Sequence, residues 1–235
     1  MNTLGIIQAR MGSKRFPGKM MEPLAGYPII EWVLRRCLKS KKLNKWVLAT
    51  SVEENNEPLI KVASSLGVEV FRGEEDDVLS RFIYLKQLYK PNSIVRVCAD
   101  NPFIDPIEID RLILFFQAND FDYAFNHIPK LGNHYTDGLG AEIMTSDALG
   151  SLLQKKLNSS DREHVTSYIV NHPSLYKIGT FSAPDNKSYP HIRLDVDQIE
   201  DLEKLNQILN LGSHFLPEDI KTEEILEKMN FGFGS

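Results

Sequence analysis

The feature that most constrains the fold is an alternation, repeated along the first half of the chain, of short apolar runs with longer segments whose apolar residues recur at helical spacing. Leu4-Gly5-Ile6-Ile7-Gln8-Ala9 reads as a short buried strand, and residues 29–38 as a helix with Pro28 suited to its first turn. Trp46-Val47-Leu48-Ala49-Thr50 is a second buried strand, residues 57–66 are a helix stopped by Gly67, and Val68-Glu69-Val70-Phe71 is a third strand. Residues 77–88 are helical, 93–98 form a fourth strand, and Asp105-Pro106 opens a helix running to Phe116. Strands and helices alternating through short links predict an α/β fold with a largely parallel, doubly wound sheet. In such sheets ligands bind outside the carboxyl ends of the strands, so functional residues are sought there.

Beyond Phe116 the pattern is less regular. Residues 119–135 hold a strand at Tyr123-Ala124-Phe125-Asn126, and polar, turn-forming residues then run to Asp137. This stretch reads as an excursion facing a substrate. Further strands are expected over 141–144, 176–181 and 192–197, and helices over 146–154, 161–171, 198–209 and 222–229. The 235 residues are read as one domain, with a substrate or dimerisation excursion around 119–175.

Hydrophobic residues make up 42% and charged residues 25%, the composition of an ordinary globular protein rather than a disordered, fibrous or membrane-spanning one. A net charge of -5 gives no global reason to expect nucleic acid or an anionic membrane as partner, although a local basic cluster can still hold phosphates. Cys37 and Cys98 lie far apart without metal-type spacing, so reduced thiols are expected rather than a zinc site or a disulfide framework. No secretory leader pattern and no run of about 18 apolar residues is visible, and a cytoplasmic location is expected.

Directly after the first strand comes Gln8-Ala9-Arg10-Met11-Gly12-Ser13-Lys14-Arg15-Phe16-Pro17-Gly18-Lys19, with four cations among small residues. Glycines let backbone N–H groups approach an anion, and the cations supply charge-assisted bonds to phosphate oxygens. The order is neither that of a P-loop nor that of a dinucleotide fingerprint. A solvated basic loop is the bland alternative; its position at the end of the first strand favours phosphate binding. Two carboxylates, Asp100 and Asp197, also fall at expected strand ends. Each has a structural alternative as a helix or turn cap.

The loop resembles the signature of the cytidylyltransferases that make activated sugars, the CMP-Kdo and CMP-acylneuraminate synthetases, and in its form most resembles the spore-coat polysaccharide (SpsF-like) branch. The segment from Val68 to Phe82, containing Arg72-Gly73-Glu74-Glu75-Asp76-Asp77, extends the resemblance. So do Asp100-Asn101-Pro102, Arg162-Glu163-His164-Val165-Thr166 and Asp195-Val196-Asp197. The resemblance implies a Rossmann-like nucleotide-diphospho-sugar transferase fold, a three-layer sandwich around a mostly parallel mixed sheet. It also implies transfer of CMP from CTP to a sugar, a nonulosonic-type or other surface-polysaccharide sugar, with release of pyrophosphate.

By the same resemblance Ala9, Arg10, Gly12, Ser13, Lys14, Arg15 and Lys19 hold the nucleotide, and Arg10, Lys19 and Asp100 are the catalytic candidates. Mg²⁺ is the implied cofactor, with Asp100 and Asp197 as its ligands and Asp195 as an auxiliary. Hard Mg²⁺ is usually held by one or two carboxylates with phosphate oxygens and waters. Arg72, Asp77, Asp137 and Glu142 are candidates for substrate recognition. The implied partners are CTP, a small sugar and a second copy of the chain, with no nucleic acid and no membrane. His134-Tyr135-Thr136-Asp137-Gly138-Leu139-Gly140-Ala141-Glu142 departs from the branch pattern, with Thr136 in place of a proline and Gly140 in place of an acid, which bears on sugar specificity. Arg162-Glu163-His164 reads equally as a structural or subunit-contact segment, and Phe115, Phe116, Tyr123 and Phe125 read as packing aromatics. Two rival functions stay open: a metal-dependent glycosyltransferase, for which Asp195-Val196-Asp197 would be an Asp-x-Asp motif, and a noncatalytic nucleotide-binding homologue.

Overall fold

The structure, a computed structural model, describes residues 2–209 and 215–232. Its centre is a seven-stranded sheet in the order β5-β4-β1-β6-β8-β7-β9, where β1 is Thr3–Gln8, β4 Trp46–Ser51, β5 Glu69–Gly73, β6 Ser93–Cys98, β7 Tyr123–Phe125, β8 Glu142–Thr145 and β9 Ile178–Gly179. Neighbouring pairs among β5, β4, β1 and β6 are parallel, β8 is antiparallel to β6 and to β7, and β9 is parallel to β7. This is the largely parallel sheet that the alternation implied, with the mixed character that the resemblance implied. A two-residue hairpin, β2 (Pro23–Leu24) with β3 (Tyr27–Pro28), stands apart from it.

Strand alternation sends side chains to two cores. Ile7 faces the side covered by α1 (Ile29–Cys37), α2 (Glu57–Ser65), α4 (Pro106–Gln117), α8 (Ile199–Ile208) and α9 (Thr222–Gly232). Leu4 and Ile6 face the side covered by α3 (Val78–Tyr89), α5 (Ser146–Ser151) and α7 (Ser167–Asn171). Helix starts follow local chemistry: the carboxylates of Asp77 and Asp105 accept from Ser80 N–H and Ile107 N–H at the heads of α3 and α4.

Four expectations are corrected. The strand expected over 192–197 does not join the sheet. Its backbone bonds instead to loops, with Leu194 N–H donating to Asp137 O at 3.1 Å and Val196 N–H to Asp100 O at 2.8 Å. The helix expected over 161–171 is two short ones, α6 (Ser159–Glu163) and α7, broken where buried Thr166 turns its hydroxyl to Glu142. The strand expected over 176–181 shrinks to β9, and the helix expected over 146–154 ends as α5, with a 3-10 turn over Leu152–Gln154.

Candidate active site

Because β1 and β6 are adjacent and parallel, the loop after β1 and the segment Ala99-Asp100 after β6 open on the same edge of the sheet. Between them lies a cavity of about 420 Å³, whose lining includes Ala9, Arg10, Ser13, Lys14, Arg15, Lys19, Asp100 and Asp197. Of the proposed nucleotide residues, Gly12 alone is not in the wall; it lies against Glu75, whose Oε1 would be 2.6 Å from an added Cβ. Gly18, at φ 77°, takes the left-handed turn that brings Lys19 back beneath the loop.

Lys19 organises the floor. Only 8% exposed, it donates from Nζ to Val196 O at 2.7 Å and stands 3.7 Å from Asp100 Oδ2 and 3.8 Å from Asp197 Oδ1. Arg15 reaches over the opening to grip both oxygens of Asp197, at 2.8 and 2.9 Å. Arg193 pairs with Asp195 and lies 3.7 Å from Asp137. Lys14 is exposed. The four aspartates crowd one another. Burial raises the Asp100 carboxyl above its ordinary value, Lys19 opposes this, and Asp195 and Asp197 add to the rise. Burial and Asp195 push the Asp137 carboxyl up to about 6.

Neither cap alternative describes the two metal candidates. The head of α4 is capped by Asp105, and that of α8 by a reciprocal pair in which Asp201 accepts from Gln198 N–H and from Asp197 N–H. The Asp100 and Asp197 carboxylates are therefore turned to Lys19 rather than spent on helix ends. Among the described residues no cluster of three or more Asp, Glu, His or Cys is placed to hold a metal. A pair of carboxylates beside a phosphate cradle nonetheless fits the Mg²⁺ habit of one or two protein ligands completed by substrate oxygens.

Arg10 is held at the opposite wall by acids: Glu163 Oε1 at 2.5 Å, Glu75 Oε1 at 3.5 Å and Asp76 at 3.6 Å. Glu163 thus belongs to the cavity, which its reading as a subunit-contact segment did not anticipate. Gln8, Met20, Arg81, Cys98 and Ala99 are further lining residues absent from the sequence-based set. Arg81 lies within the Val68 to Phe82 segment, but on a helix, where a charge usually faces water.

The substrate candidates are distributed differently. Arg72 is bonded to Glu57 at 2.7 Å and to Val52 O at 2.7 Å and does not line the cavity. Asp77 caps α3 and pairs with Arg162. Asp137 joins the aspartate cluster through Arg193. Glu142 is 4% exposed and accepts from Arg96, from Tyr123 OH at 2.5 Å and from Thr166 at 2.8 Å. It also borders a second cavity of about 440 Å³, together with Phe125, His127, His164 and Val170. Gly140 has a steric reason: a Cβ there would lie 2.1 Å from Asn126 O. Thr136, in the proline position, is fully buried and donates to Lys187 O at 3.1 Å.

Residues 4–229 match the family model described as cytidylyltransferase. The chain belongs to the cytidylyltransferase family. It is 34% identical over 234 residues to the spore coat polysaccharide biosynthesis protein SpsF of Bacillus subtilis, covering 97% of this chain and 93% of that one. It is 27% identical over 226 residues to the 8-amino-3,8-dideoxy-manno-octulosonate cytidylyltransferase of Shewanella sp. (strain W3-18-1), covering 88% and 85%. A cytidylyltransferase from Leptospira borgpetersenii superimposes with a TM-score of 0.87 at 28% identity, covering 99% of this chain and 95% of that one. The enzyme is therefore a CTP-dependent nucleotidyltransferase, and its sheet is that of Rossmann-like nucleotidyltransferases. No helix among the described residues is long and apolar enough to cross a membrane.

Proposed function

We propose that the enzyme transfers CMP from CTP to a hydroxyl of a surface-polysaccharide sugar, of nonulosonic or related type, and that it does so with Mg²⁺, which Asp100 and Asp197 would hold. The observation that carries this reading is the convergence of Lys19 with both carboxylates beneath a basic loop. The sugar oxygen forms a bond to the α-phosphorus as the bond to the bridging oxygen breaks and pyrophosphate departs, and the hydroxyl proton passes to solvent. Bound Mg²⁺ would neutralise phosphate charge. Lys19 and Arg10 face the phosphates from opposite walls and stabilise charge in the transition state, while Arg15 and Lys14 at the mouth hold the leaving pyrophosphate. No covalent intermediate on the protein is needed.

The names of the two relatives above support a polysaccharide-linked sugar as acceptor. The glycosyltransferase alternative would require Asp195 and Asp197 as a free pair, and here Arg193 pairs with Asp195 and reaches Asp197 at 3.7 Å, while Arg15 holds Asp197. The same reading places the enzyme in the cytoplasm as a homodimer joined through the 119–175 excursion, where Leu131, Leu153 and Leu175 stand 75%, 57% and 55% exposed. Sedimentation of the purified protein tests the dimer. The function is tested with Asp100→Asn and Asp197→Asn: each is expected to abolish pyrophosphate release from CTP while retaining a cooperative unfolding transition. Full activity in both variants would remove the metal assignment.

A further inference from the structure

Arg81 is the cation of the cavity lining that this chemistry leaves unused. It projects from α3 at 1% exposure and lines the same cavity as Arg10 and Lys19. An arginine carries five N–H donors. Here the terminal nitrogens donate to Ala49 O at 3.2 Å and Glu75 O at 3.3 Å, and the buried Nε–H has no acceptor. No carboxylate stands within ion-pair distance of it among the described residues. Burial pushes its guanidinium down to about 10 despite the more distant Glu75, with Arg10 adding to the fall.

Arg36 provides an internal comparison. It too is buried, at 2% exposure, without a carboxylate partner. It donates to Ile104 O, Pro217 O, Ile220 O and Thr222 Oγ1, all between 2.7 and 3.0 Å, and so staples the chain end to α1. Arg81 has two longer bonds and a cavity beside it. A buried cation with spare donors is costly unless something supplies the missing acceptors.

Its position says which part of a nucleotide that would be. Arg81 is tied to Ala49 on β4, whereas Asp100 follows β6, and these strands flank β1 on opposite sides. Two strand spacings separate them, about 10 Å. Lys19, Asp100 and Asp197 define the phosphate end on the β6 side, so a nucleotide laid across the strand ends turns its base toward β4 and Arg81.

We infer that Arg81 reads the pyrimidine, donating to O2 and N3 of cytosine. This rests on the cytidylyl-transfer reading above and adds the residue that selects the base. Cytosine offers acceptors at both positions, whereas uracil carries a hydrogen on N3 that would face a donor. A paired donor therefore favours CTP over UTP. Gly73 belongs to the same device: an added Cβ would lie 2.7 Å from Arg81 Cγ, so the glycine leaves the side chain its path into the cavity.

The test is calorimetric titration of CTP, UTP and inorganic tripolyphosphate, each with Mg²⁺ and no acceptor, into wild type, Arg81→Lys and Gly73→Ala. Lysine keeps the charge but cannot donate as a fork, and Gly73→Ala displaces an intact arginine, so the two variants fail in different ways if either folds poorly. Wild type is expected to prefer CTP. Both variants are expected to weaken CTP binding by about tenfold or more and bring the CTP to UTP ratio toward one, with tripolyphosphate affinity unchanged. A parallel loss for all three ligands, an unchanged ratio in both variants, or a wild type indifferent to the base would overturn the inference. A wild type that binds none of the three would instead overturn the cytidylyl-transfer reading beneath it.

Discussion

Arg15 holds both carboxylate oxygens of Asp197, at 2.8 and 2.9 Å, across the mouth of the cavity. The pair joins a residue of the basic loop to one of the proposed metal ligands, so each must leave the other when phosphate and cation arrive. With the Arg15 side chain 64% exposed, the pair is expected to contribute less than about 1 kcal/mol to folding. Arg15→Gln should therefore leave the urea midpoint nearly unchanged while weakening CTP binding. A large loss of stability with intact affinity would show that the pair is structural.

Asp137 should leave a signature in the pH dependence of stability. Its folded-state value is raised from 3.8 to about 6, so between those values the unfolded chain releases a proton that the folded chain retains. Stability from this group is full below 3.8 and falls as pH rises toward 6. Asp137→Asn removes the effect. The variant is expected to gain on wild type through that window and to hold a constant difference above it, as read from unfolding curves at several pH values. A difference independent of pH would contradict the crowding of the four aspartates.

Glu142 behaves oppositely. Burial works against its charge, but Arg96, His127 and the hydroxyls of Tyr123 and Thr166 outweigh it and hold the carboxyl down to about 2 from 4.5. Its contribution is present above 4.5 and lost as pH falls toward 2. Glu142→Gln strands a buried Arg96 and should cost about 3–5 kcal/mol in chemical denaturation. A cost below about 1 kcal/mol would mean that Glu142 is held for the acceptor rather than for the fold.

Gly140→Asp, which restores the acid of the family pattern, is expected to destabilise the enzyme, because Asn126 fills the space into which any side chain would grow. Overpacking of this kind costs about 1–3 kcal/mol. Because the nearest atom is the Asn126 carbonyl oxygen, Gly140→Asp combined with Asn126→Gly should not recover the loss in thermal unfolding. Equal stability of the single variant and wild type would show that the contact yields.

The parallel half of the fold was legible because β1 and β4 are mostly apolar runs and β6 is one broken by Arg96, and a buried parallel strand leaves little else to read. Residues 192–197 misled for a physical reason. Ile192, Leu194 and Val196 alternate with charged residues as in a strand, yet their partners are the loops at Asp137 and Asp100. In the site, the basic loop and Asp100 stood out because charge at a strand end has few other uses. Glu163 and Arg81 did not. Both lie on helices, where a charge usually faces water, and only the folded chain brings Glu163 to Arg10 and sinks Arg81 beneath the Glu75 carbonyl. Arg72 carried the opposite risk: a motif arginine beside the site turned out to brace Val52 and Glu57.

The central claim is tested most directly by following CTP labelled at the α-phosphorus in the presence of Mg²⁺ and a panel of surface-polysaccharide sugars. The expected result is label on one sugar, matched by an equal quantity of pyrophosphate, and neither in the absence of acceptor. Label that stays in CTP throughout, while the enzyme consumes a preformed nucleotide sugar without CTP, would contradict it.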